Sequence, residues 1–351
     1  MPSATEWLAG LSPWPEEFGL ENMRALLAEL GNPERAFPSV HVVGTNGKST
    51  ATRMIAALLR AEGLREEVLD VGAYTSPHVS GWHERLDTTP EAFEAAVARV
   101  RPAAEKLNAT QFEALTAAAL ADFAARRVDA AVVEAGLGGR LDATNVIDAR
   151  VVLLTNVGLE HTDVLGETRE EIAREKLAVA KPGAIVVLPD DEWRSLVPAN
   201  EIRIGGAREA AEAFLGRPPR LIEDPEIALP GRLERRGPDE IRDGAHTPEG
   251  VAWLLDRIPP RPWIVVASIL GDKDAEAMLT LLGRAGGTLV ATRSSNPRAL
   301  DEKELAARAE PYFQHVFPVS DPAQALALAR SLGPVLVTGS LYLLGDLHRE
   351  G

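Results

Sequence analysis

The sequence contains no cysteine. Disulfide bridges, thiolate zinc sites and cysteine nucleophiles are therefore excluded. It also has no basic run, and 37 Lys and Arg are outnumbered by 52 Asp and Glu, which gives a formal net charge of −15. A surface for duplex nucleic acid or for an acidic membrane is consequently not expected, and an anionic substrate would need a locally positive pocket.

Long hydrophobic runs are missing as well. No uninterrupted apolar stretch approaches the ~18 residues of a membrane span. The first 19 residues, MPSATEWLAGLSPWPEEFG, lack a basic region followed by an apolar one, so we expect a soluble, cytoplasmic protein. The chain has 351 residues, of which 45% are hydrophobic and 25% charged. Such a chain can bury one large core or two moderate ones, and two domains are the better prediction.

Short apolar runs alternate with Ala- and Leu-rich helical patterns in the first part of the chain. Near-continuous apolar strands are typical of a parallel sheet that helices cover on both faces. We predict an α/β, doubly wound N-terminal domain over residues 1–236, with a mostly parallel sheet. The predicted strands are 39–44, 129–136, 150–158 and 184–189, and the clearest predicted helices are 112–127 and 169–180.

A second alternation follows a stretch rich in proline, glycine and charge. This stretch, residues 216–240, is typical of loops, short strands and an interdomain linker. We predict a smaller, Rossmann-like α/β domain over residues 237–351. Its predicted strands lie within 261–270, 286–295, 315–320 and 333–342.

The stretch VHVVGTNGKST (40–50) is a glycine-rich loop between an apolar strand and a helix. The usual phosphate-binding motif has a glycine where Val42 stands, so this loop is shorter. Its backbone N–H groups and the helix N-terminus suit a polyphosphate, with Lys48 adding positive charge and Ser49 a hydroxyl ligand for Mg²⁺. A simple strand-to-helix turn, in which glycine supplies positive φ, is the alternative.

Two more segments follow apolar strands, and each carries a candidate metal ligand. VEAGLGGRLDATN (133–145) places Glu134 at a strand end, and TNVGLEHTDVLG (155–166) carries His161. Taken alone, the first is also consistent with a surface loop and the second with an ordinary polar histidine. Strand ends bearing Ser49, Glu134 and His161 nevertheless predict one convergent site for phosphate and Mg²⁺, at which Mn²⁺ would be tolerated.

Other candidates are weaker when taken by themselves. Ser76 lies in AYTSPHVSGWHERLD (73–87), which is equally consistent with an ordinary surface turn. Lys176 lies in the middle of a predicted helix, where a solvent-exposed lysine is the default. Arg232, Asp243 and His246 could face a nucleotide, although a linker rich in charge would look similar.

Together these segments resemble a known family. GTNGKST, YTSPHV, FEALT, VEAGLGGRLDATN, NVGLEHTDVLG, REK, PGRLE, DGAHTP, ILGDKD and TGSLYLLG occur in the order seen in folylpolyglutamate and dihydrofolate synthases, a branch of the Mur ligase superfamily. The resemblance runs from about Phe18 to Leu347. Its most specific element is GLGGRLDATN, which points to the folate branch.

The resemblance implies an ATP-dependent amide ligase. Residues 1–236 would be its P-loop ATPase domain, the ATP-binding Mur ligase central domain with the folate site, and residues 237–351 would be the C-terminal Mur ligase glutamate-ligase domain. The enzyme would join L-glutamate to a folate-type carboxylate, that of dihydropteroate or of a tetrahydrofolate polyglutamate, through an acyl phosphate. The partners expected are small-molecule substrates, with no nucleic acid or membrane, and the chain is expected to act as a monomer. A Mur-type ligase for a non-folate carboxylate and a catalytically silent nucleotide-binding protein are the alternatives.

The resemblance also assigns roles to residues, together with ATP and two Mg²⁺ ions. Catalytic roles fall to Lys48, Lys176, which is carbamylated in the family, and His246. Nucleotide contacts are implied for Gly44, Thr45, Asn46, Gly47, Lys48, Ser49, Thr50, Arg232 and Asp243. Metal ligands are implied at Ser49, Ser76, Glu134 and His161. Substrate contacts are implied for Gly19, Leu20, Glu21, Asn22, Phe112, Glu113, Arg140, Leu141, Asp142 and Ala143.

The sequence departs from the family pattern at three places. Ser49 stands where the family usually has glycine, so Ser49 or Thr50 could supply the hydroxyl ligand, and Ser49 is preferred because it directly follows the lysine. Thr247 replaces an asparagine in DGAHTP. The residues after Lys176 also differ, which changes the packing around that lysine.

Overall fold

The computed structural model describes residues 3–15, 17–63, 69–225, 227 and 229–349. It divides into two compact units. Unit 1 comprises Met1–His78 and Trp82–Ile227, and unit 2 comprises Val79–Gly81 and Ala228–Gly351. In the part of the chain that is described, no helix is both long and apolar enough to cross a membrane.

Unit 1 is built from alternating strands and helices. Its strands are β1 (Ser39–Val43), β2 (Val71–Tyr74), β3 (Ala130–Glu134), β4 (Val151–Leu154), β5 (Ile185–Leu188) and β6 (Glu201–Ile204). Its helices are α1 (Ala4–Ala9), α2 (Glu21–Glu29), α3 (Lys48–Arg60), α4 (Pro90–Lys106), α5 (Gln111–Arg126), α6 (Thr162–Leu165), α7 (Arg169–Leu177) and α8 (Ala207–Leu215).

The strands of unit 1 form one sheet in the order β2-β3-β1-β4-β5-β6, with every described pairing parallel. Successive side chains of a strand point to opposite faces of the sheet, so neighbouring residues pack into different apolar clusters. Val43 packs with Tyr74 in the larger cluster, whereas Val42 packs with Ile55 of α3 in the other. Val42 is fully buried, so the residue in place of the usual motif glycine serves the core.

Unit 2 has a second sheet with the order β11-β10-β9-β12-β8-β7, parallel except for the β7–β8 pair. The strands are β7 (Glu234–Arg235), β8 (Glu240–Arg242), β9 (Ile264–Ala267), β10 (Thr288–Ala291), β11 (His315–Pro318) and β12 (Val335–Thr338). The helices are α9 (Pro248–Leu255), α10 (Ala275–Leu282), α11 (Glu302–Ala309), α12 (Pro322–Leu332) and α13 (Leu341–Arg349). Helices cover both faces, because Val265 and Val266 of β9 belong to different apolar clusters.

The predicted fold class, two α/β portions with mostly parallel sheets, is confirmed. The division between the units falls at Ile227 and Ala228, nine residues before the predicted boundary at 236 and 237. The reason is that Leu233, in the predicted linker, packs against the apolar cluster that contains Ile241. Glu226 and Ala228 of that linker lie outside the described residues.

Candidate active site

Four of the predicted segments follow neighbouring strands of the first sheet. The order β2-β3-β1-β4 places the starts of the Ser76 loop, the Glu134 segment, the glycine-rich loop and the His161 segment side by side. Since the strands are parallel, all four segments begin at the same edge, where open α/β sheets bind their ligands. The convergence expected from the sequence therefore has a topological basis.

The glycine-rich loop is held in shape by the chain that follows β4. Thr45 donates its N–H to the carbonyl of Asn156 at 3.1 Å, and the N–H of Asn46 donates to the side-chain oxygen of Asn156 at 2.9 Å. Gly44 has φ +148°, and a β-carbon there would lie 1.9 Å from Thr155 Oγ1. Only glycine fits at position 44, because any side chain would collide with Thr155 and disfavour this backbone conformation.

Two lysines meet at the carbonyl oxygen of Gly44. Lys48 Nζ donates to it at 2.9 Å and Lys176 Nζ at 3.0 Å. Lys48 also donates to the carbonyl of Thr45 at 3.1 Å, and Lys176 to Glu160 Oε1 at 2.6 Å. The positive charge that an anionic ligand would require is thus concentrated on the glycine-rich loop.

Burial governs the ionisation of this group. Lys176 is only 1% exposed, and this desolvation lowers its pKa, with a contribution from the charge of Lys48 that is opposed by Glu160. Burial by itself raises the pKa of Glu160, but the charges of Lys176 and Lys48 outweigh it and hold that pKa below its usual value. The default expectation that Lys176 is solvent-exposed is wrong, because α7 turns this residue toward Gly44.

Glu134 is the second centre of the site. Ser49 Oγ donates to Glu134 Oε1 at 3.0 Å, and the backbone N–H of Ser76 donates to Oε2 at 3.0 Å. The carboxylate lies at the end of β3 and the residue is 1% exposed. Ser49 and Thr50 both lie in the first turn of α3. The hydroxyl that bonds to Glu134 is that of Ser49, which was preferred from the sequence over Thr50 as the hydroxyl ligand.

These groups fit a hard divalent cation. A carboxylate and hydroxyl oxygens are the ligands that Mg²⁺ prefers, with water and phosphate oxygens completing its shell. Among the described residues, no group of three or more His, Asp or Glu side chains could hold a metal ion by itself. The oxygens of Glu134 and Ser49 suit an ion whose remaining ligands are water and phosphate oxygens.

His161 lies directly before α6 and has a left-handed backbone conformation, with φ 45° and ψ 46°. Its carbonyl accepts the N–H groups of Val164 at 2.9 Å and Leu165 at 2.8 Å. The charge of His161 also helps to lower the pKa of Glu160. The residue therefore lies beside the pair formed by Glu160 and Lys176, at the end of the sheet where it was expected.

A buried chain of hydrogen bonds shapes the segment after β3. Asp142 accepts the hydroxyl of Thr144 at 2.5 Å and the N–H of Leu137 at 2.8 Å. Because the Thr144 hydroxyl donates to Asp142, it accepts from His41 Nε2 across 2.8 Å. Burial raises the pKa of Asp142 and lowers that of His41 to about 3. The described contacts of Asp142 stabilise its own loop, and its contact with a substrate stays a prediction.

The same loop packs closely on α7. A β-carbon at Gly139 would lie 2.5 Å from the carbonyl oxygen of Lys176. Arg140 donates its backbone N–H to the carbonyl of Glu175 at 3.0 Å and its Nε to the Glu175 carboxylate at 2.8 Å. Leu141 follows Arg140 in the loop, and Ala143 begins a short 3₁₀ turn. The loop thereby fixes the helix that carries Lys176.

The predicted substrate residues near the N-terminus meet the start of α5. Asn22 donates to the Glu113 carboxylate at 3.1 Å, and the same carboxylate caps α5 by accepting the N–H of Thr110 at 2.8 Å. A β-carbon at Gly136 would lie 2.5 Å from the ring of Phe112, so that ring covers the segment after β3. Gly19 and Leu20 precede α2, and Glu21 and Asn22 begin it.

The remaining predicted residues belong to unit 2, where they lie near one another. Asp243 accepts the backbone N–H groups of Leu233 at 2.8 Å and Ala245 at 2.9 Å, and burial raises its pKa. A β-carbon at Gly244 would lie 2.9 Å from an Arg232 guanidinium nitrogen. His246 Nδ1 donates to the carbonyl of Gly244 at 2.8 Å.

Thr247 has a clear structural role, since its hydroxyl caps α9 by accepting the N–H of Gly250 at 3.1 Å. Threonine is among the residues that cap helices well. The departure from the family asparagine therefore preserves the start of this helix.

Sequence reasoning missed three residues that the structure brings to this site. Glu160 pairs with Lys176, Asn156 supports the glycine-rich loop, and Arg53 contacts the segment that contains Ser76. Glu160 and Asn156 lie in a segment already singled out for His161, so their position after a strand was an available signal. Arg53 had none, because an arginine in an amphipathic helix is usually solvent-exposed.

Comparison with known proteins identifies the family. The profile of the Mur ligase middle domain matches residues 42–206, and that of the Mur ligase glutamate ligase domain matches residues 231–341. Folylpolyglutamate synthase from Lacticaseibacillus casei is 34% identical, with 92% of this chain and 92% of the relative covered. The dihydrofolate synthase/folylpolyglutamate synthase of Mycobacterium tuberculosis is 30% identical over 86% of this chain and 80% of the relative. This chain belongs to the folylpolyglutamate and dihydrofolate synthase family of Mur ligases.

Solved structures of this family of ligases have the same architecture. Mycobacterium tuberculosis folylpolyglutamate synthase complexed with ADP has a TM-score of 0.86 at 28% identity, covering 98% of this chain and 96% of that one. The Yersinia pestis bifunctional folylpolyglutamate synthase/dihydrofolate synthase, complexed with AMPPNP and a Mn ion, has a TM-score of 0.83 at 25% identity, covering 100% and 99%. The family and fold expected from the sequence are confirmed.

Proposed function

We propose that this protein is an ATP-dependent ligase that joins L-glutamate to the carboxylate of a folate-type substrate. The observation that carries the proposal is the convergence of Ser49, Ser76 and Glu134 beside a loop whose Gly44 carbonyl accepts bonds from Lys48 and Lys176. The names of the relatives, folylpolyglutamate synthase and dihydrofolate synthase, support the choice of substrate.

The glycine-rich loop and the N-terminus of α3 would bind the phosphates of ATP. Free N–H groups at a helix N-terminus favour anions. Lys48 bonds to the loop carbonyls in the described conformation. On nucleotide binding its ammonium group would turn to the terminal phosphates, where it would offset the repulsion between ATP and the substrate carboxylate.

Ser49, Ser76, Glu134 and His161 would hold two divalent ions, as the family resemblance implies. Bound metal would supply neutralisation of charge on the transferring phosphoryl group. Glu134 carries the anionic charge of this set, and its bonds to Ser49 and Ser76 draw the two loops toward one point.

Lys176 would carry a carbamate. The ammonium group first loses one proton, the neutral amine attacks CO₂, a C–N bond forms and a second proton is released, so the cationic side chain becomes an anion. Burial lowers the pKa of Lys176, which raises the fraction of neutral amine. A carbamate would reverse the charge of the side chain beside Glu160, and His161 and bound metal would then balance the two anions.

The reaction needs activation because a carboxylate carbon is electron-rich and resists attack by an amine. The carboxylate oxygen attacks the γ-phosphorus of ATP, the bond between that phosphorus and the ADP oxygen breaks, and an acyl phosphate forms. The amine of glutamate then attacks the acyl carbon, inorganic phosphate leaves, and the amine proton is lost to solvent. Nucleotide contacts of Arg232 and Asp243, and a role of His246 near the transferred phosphoryl group, belong to this proposal.

A direct assay tests the proposal. The protein is incubated with ATP, Mg²⁺, bicarbonate and L-glutamate, with 7,8-dihydropteroate or tetrahydrofolate in parallel, and ADP and product mass are measured. We expect equal amounts of ADP and of a product enlarged by one glutamyl residue with at least one substrate. Lys48→Ala should reduce turnover by about 10³-fold, whereas Lys106→Ala, at an exposed ion pair with Glu29, should not.

Failure with both pteridine substrates, despite an intact fold and nucleotide binding, would refute the folate assignment. ADP release that depends on a different carboxylate would favour a Mur-type ligase of other specificity. Near-normal turnover of Lys48→Ala would show that the role given to the loop is wrong.

A further inference from the structure

Arg53 lies one helical turn beyond Ser49 on α3, so the two side chains project from the same side of that helix. Its side chain is only 12% exposed. A guanidinium group is costly to bury unless its charge and its donors are matched. The contacts of Arg53 therefore show what the buried charge is used for.

Arg53 contacts both ends of the segment 75–87, which carries Ser76. One terminal nitrogen donates to the carbonyl of Glu84 at 2.5 Å and lies 3.4 Å from Thr75 Oγ1. The other forms an ion pair with Asp87. Since Thr75 also donates its N–H to the carbonyl of Arg85 at 2.8 Å, the start and the end of the segment meet in front of the guanidinium group.

These contacts lead directly to the predicted metal ligands. Ser76 follows Thr75 and donates its N–H to one oxygen of Glu134, while Ser49 donates its hydroxyl to the other. The charge of Glu134 also acts on Arg53: burial lowers the pKa of the arginine, and Glu84 and Glu134 oppose that effect. Arg53 thus links the helix that carries Ser49 to the segment that carries Ser76.

Arginine suits this role better than lysine does. Its planar group presents several donors in fixed directions, so one side chain can bond a carbonyl, a hydroxyl and a carboxylate together. A lysine ammonium at the same place could not reach Glu84 and Asp87 with the same geometry. Arg53 Nε is buried and has no hydrogen-bond partner among the described residues, so the terminal nitrogens make the described bonds.

We propose that Arg53 is a positioning residue for the metal-binding part of the site, because it fixes the two ends of segment 75–87, at Thr75 and at Glu84 and Asp87, on α3 so that Ser49 and Ser76 both meet Glu134. The inference rests on the proposed function, since it concerns the divalent ion that accompanies ATP. Arg53 would act through Ser76 and Glu134 rather than through its own contact with a ligand.

The test compares Arg53→Met and Arg53→Lys with Arg60→Met. Arg60 provides a matched control because it also lies on α3 and bonds to Asp87, at 2.7 Å, while its other described bond goes to the carbonyl of Val71. Binding of Mn²⁺ in the presence of a nonhydrolysable ATP analogue is measured by electron paramagnetic resonance without turnover. Melting temperature and the Mg²⁺ concentration for half-maximal activity are recorded alongside.

Arg53→Met should weaken Mn²⁺ binding about tenfold, the usual effect of losing an outer-shell partner. The Mg²⁺ requirement should rise in parallel, while the KM for L-glutamate changes less than about twofold, as expected for an effect confined to the metal. Arg53→Lys should weaken Mn²⁺ binding severalfold. Arg60→Met should bind Mn²⁺ as the wild type does.

Unchanged Mn²⁺ affinity in Arg53→Met, or an equal loss in Arg60→Met, would overturn the inference. If Arg53→Met does not fold, Arg53→Lys serves as the test, and wild-type Mn²⁺ affinity in that variant would also overturn the inference. A wild-type protein that binds neither Mn²⁺ nor the analogue would instead contradict the proposed function, so the two failures are distinguishable.

Discussion

At the scale of single residues, Lys176 departs most from what its sequence position suggests. A lysine in a helix is normally solvent-exposed, yet Lys176, in the last turn of α7, is 1% exposed and bonds to Gly44 and Glu160. Lys176 lies on the buried face of α7 together with Ile172 and Ala173, and the close approach of Gly139 holds the helix in place. Its burial agrees with the carbamate that the family resemblance implies.

The proposed carbamylation of Lys176 can be tested directly. Protein equilibrated with ¹³C-labelled bicarbonate should give one carbamate resonance by ¹³C NMR. Lys176→Arg should lack it, since a guanidinium group does not form a carbamate under these conditions. Raising the pH should strengthen the resonance, because deprotonation of the ammonium group supplies the reactive amine.

Lys181 provides the control for that measurement. Burial lowers its pKa too, so a resonance produced merely by a neutral buried amine would persist in Lys176→Arg and disappear in Lys181→Arg. No carbamate resonance in the wild type, under conditions that support turnover, would refute the assignment.

Other site residues show how far sequence reasoning reached. Lys48, Ser49 and Glu134 were predicted because each lies near a strand end in a glycine-containing segment, a pattern with a physical meaning, and the structure brings Ser49 and Glu134 together. Arg53 was not found, since its role depends on contacts with Thr75, Glu84 and Asp87, which lie 22 or more residues further along the chain. Periodicity within α3 carries no information about what faces that helix.

At the scale of elements, the loop GLGGRLDATN is defined by its packing on α7. A β-carbon at Gly139 would lie 2.5 Å from the Lys176 carbonyl oxygen and 2.7 Å from that of Glu175. These are backbone atoms, which cannot move aside without shifting the helix. The glycine is therefore required by close approach, and the position of Lys176 depends on it.

We expect Gly139→Ala to lower the stability of unit 1 by about 1–3 kcal/mol, the usual cost of overpacking, and to reduce carbamylation of Lys176. Thermal denaturation and ¹³C NMR measure the two effects. Gly10→Ala is the control, because the nearest atom to its added β-carbon would lie 3.4 Å away. An unchanged melting temperature and carbamate content in Gly139→Ala would show that the loop can shift to accommodate a β-carbon, so that glycine is not required at this position.

Predicted elements agreed with the structure where periodicity was strong and failed at their ends. The strand predicted over 150–158 ends at Leu154, after which the Thr155 hydroxyl and the Asn156 side chain bond to the glycine-rich loop. The strand β6, Glu201–Ile204, was missed because an edge strand alternates polar and apolar residues and shows no apolar run.

At the scale of the whole molecule, the arrangement of strands brings the segments together. The order β2-β3-β1-β4 in the first sheet is not the order of the sequence. The connections from β1 to β2, from β2 to β3 and from β4 to β5 are long and include helices, so the apolar patterns alone permit several arrangements. The sequence predicted a parallel sheet. The order of its strands depends on tertiary packing, which local periodicity does not specify.

Stability of unit 1 should depend on pH through His41, which lies in β1. Burial lowers its pKa from 6.5 to about 3, so between these values the unfolded chain binds a proton that the folded chain excludes. Stability is therefore lost as the pH falls below 6.5. Between pH 6.5 and pH 5 the loss from this group is about 2 kcal/mol.

The variant His41→Gln should show a smaller loss of unfolding free energy than the wild type between pH 7.5 and pH 5. Urea denaturation at each pH measures it, and the difference between the pH values removes the cost of the substitution itself. His315→Gln, at an exposed position of β11, should keep the wild-type pH dependence. An unaltered pH dependence in His41→Gln would refute the assignment to His41.

The sequence by itself determined the α/β class, the two portions of the chain, the absence of thiol chemistry and the family. Composition and local periodicity determine the first three of these properties, and the order of the motifs determines the family. Only the tertiary structure decided that Ser49 meets Glu134, 85 positions away, that Lys176 is buried against Gly44, 132 positions away, and that Arg53 connects α3 to segment 75–87. Such contacts arise where parallel strands end at a common edge, and a linear pattern cannot specify which side chains meet there.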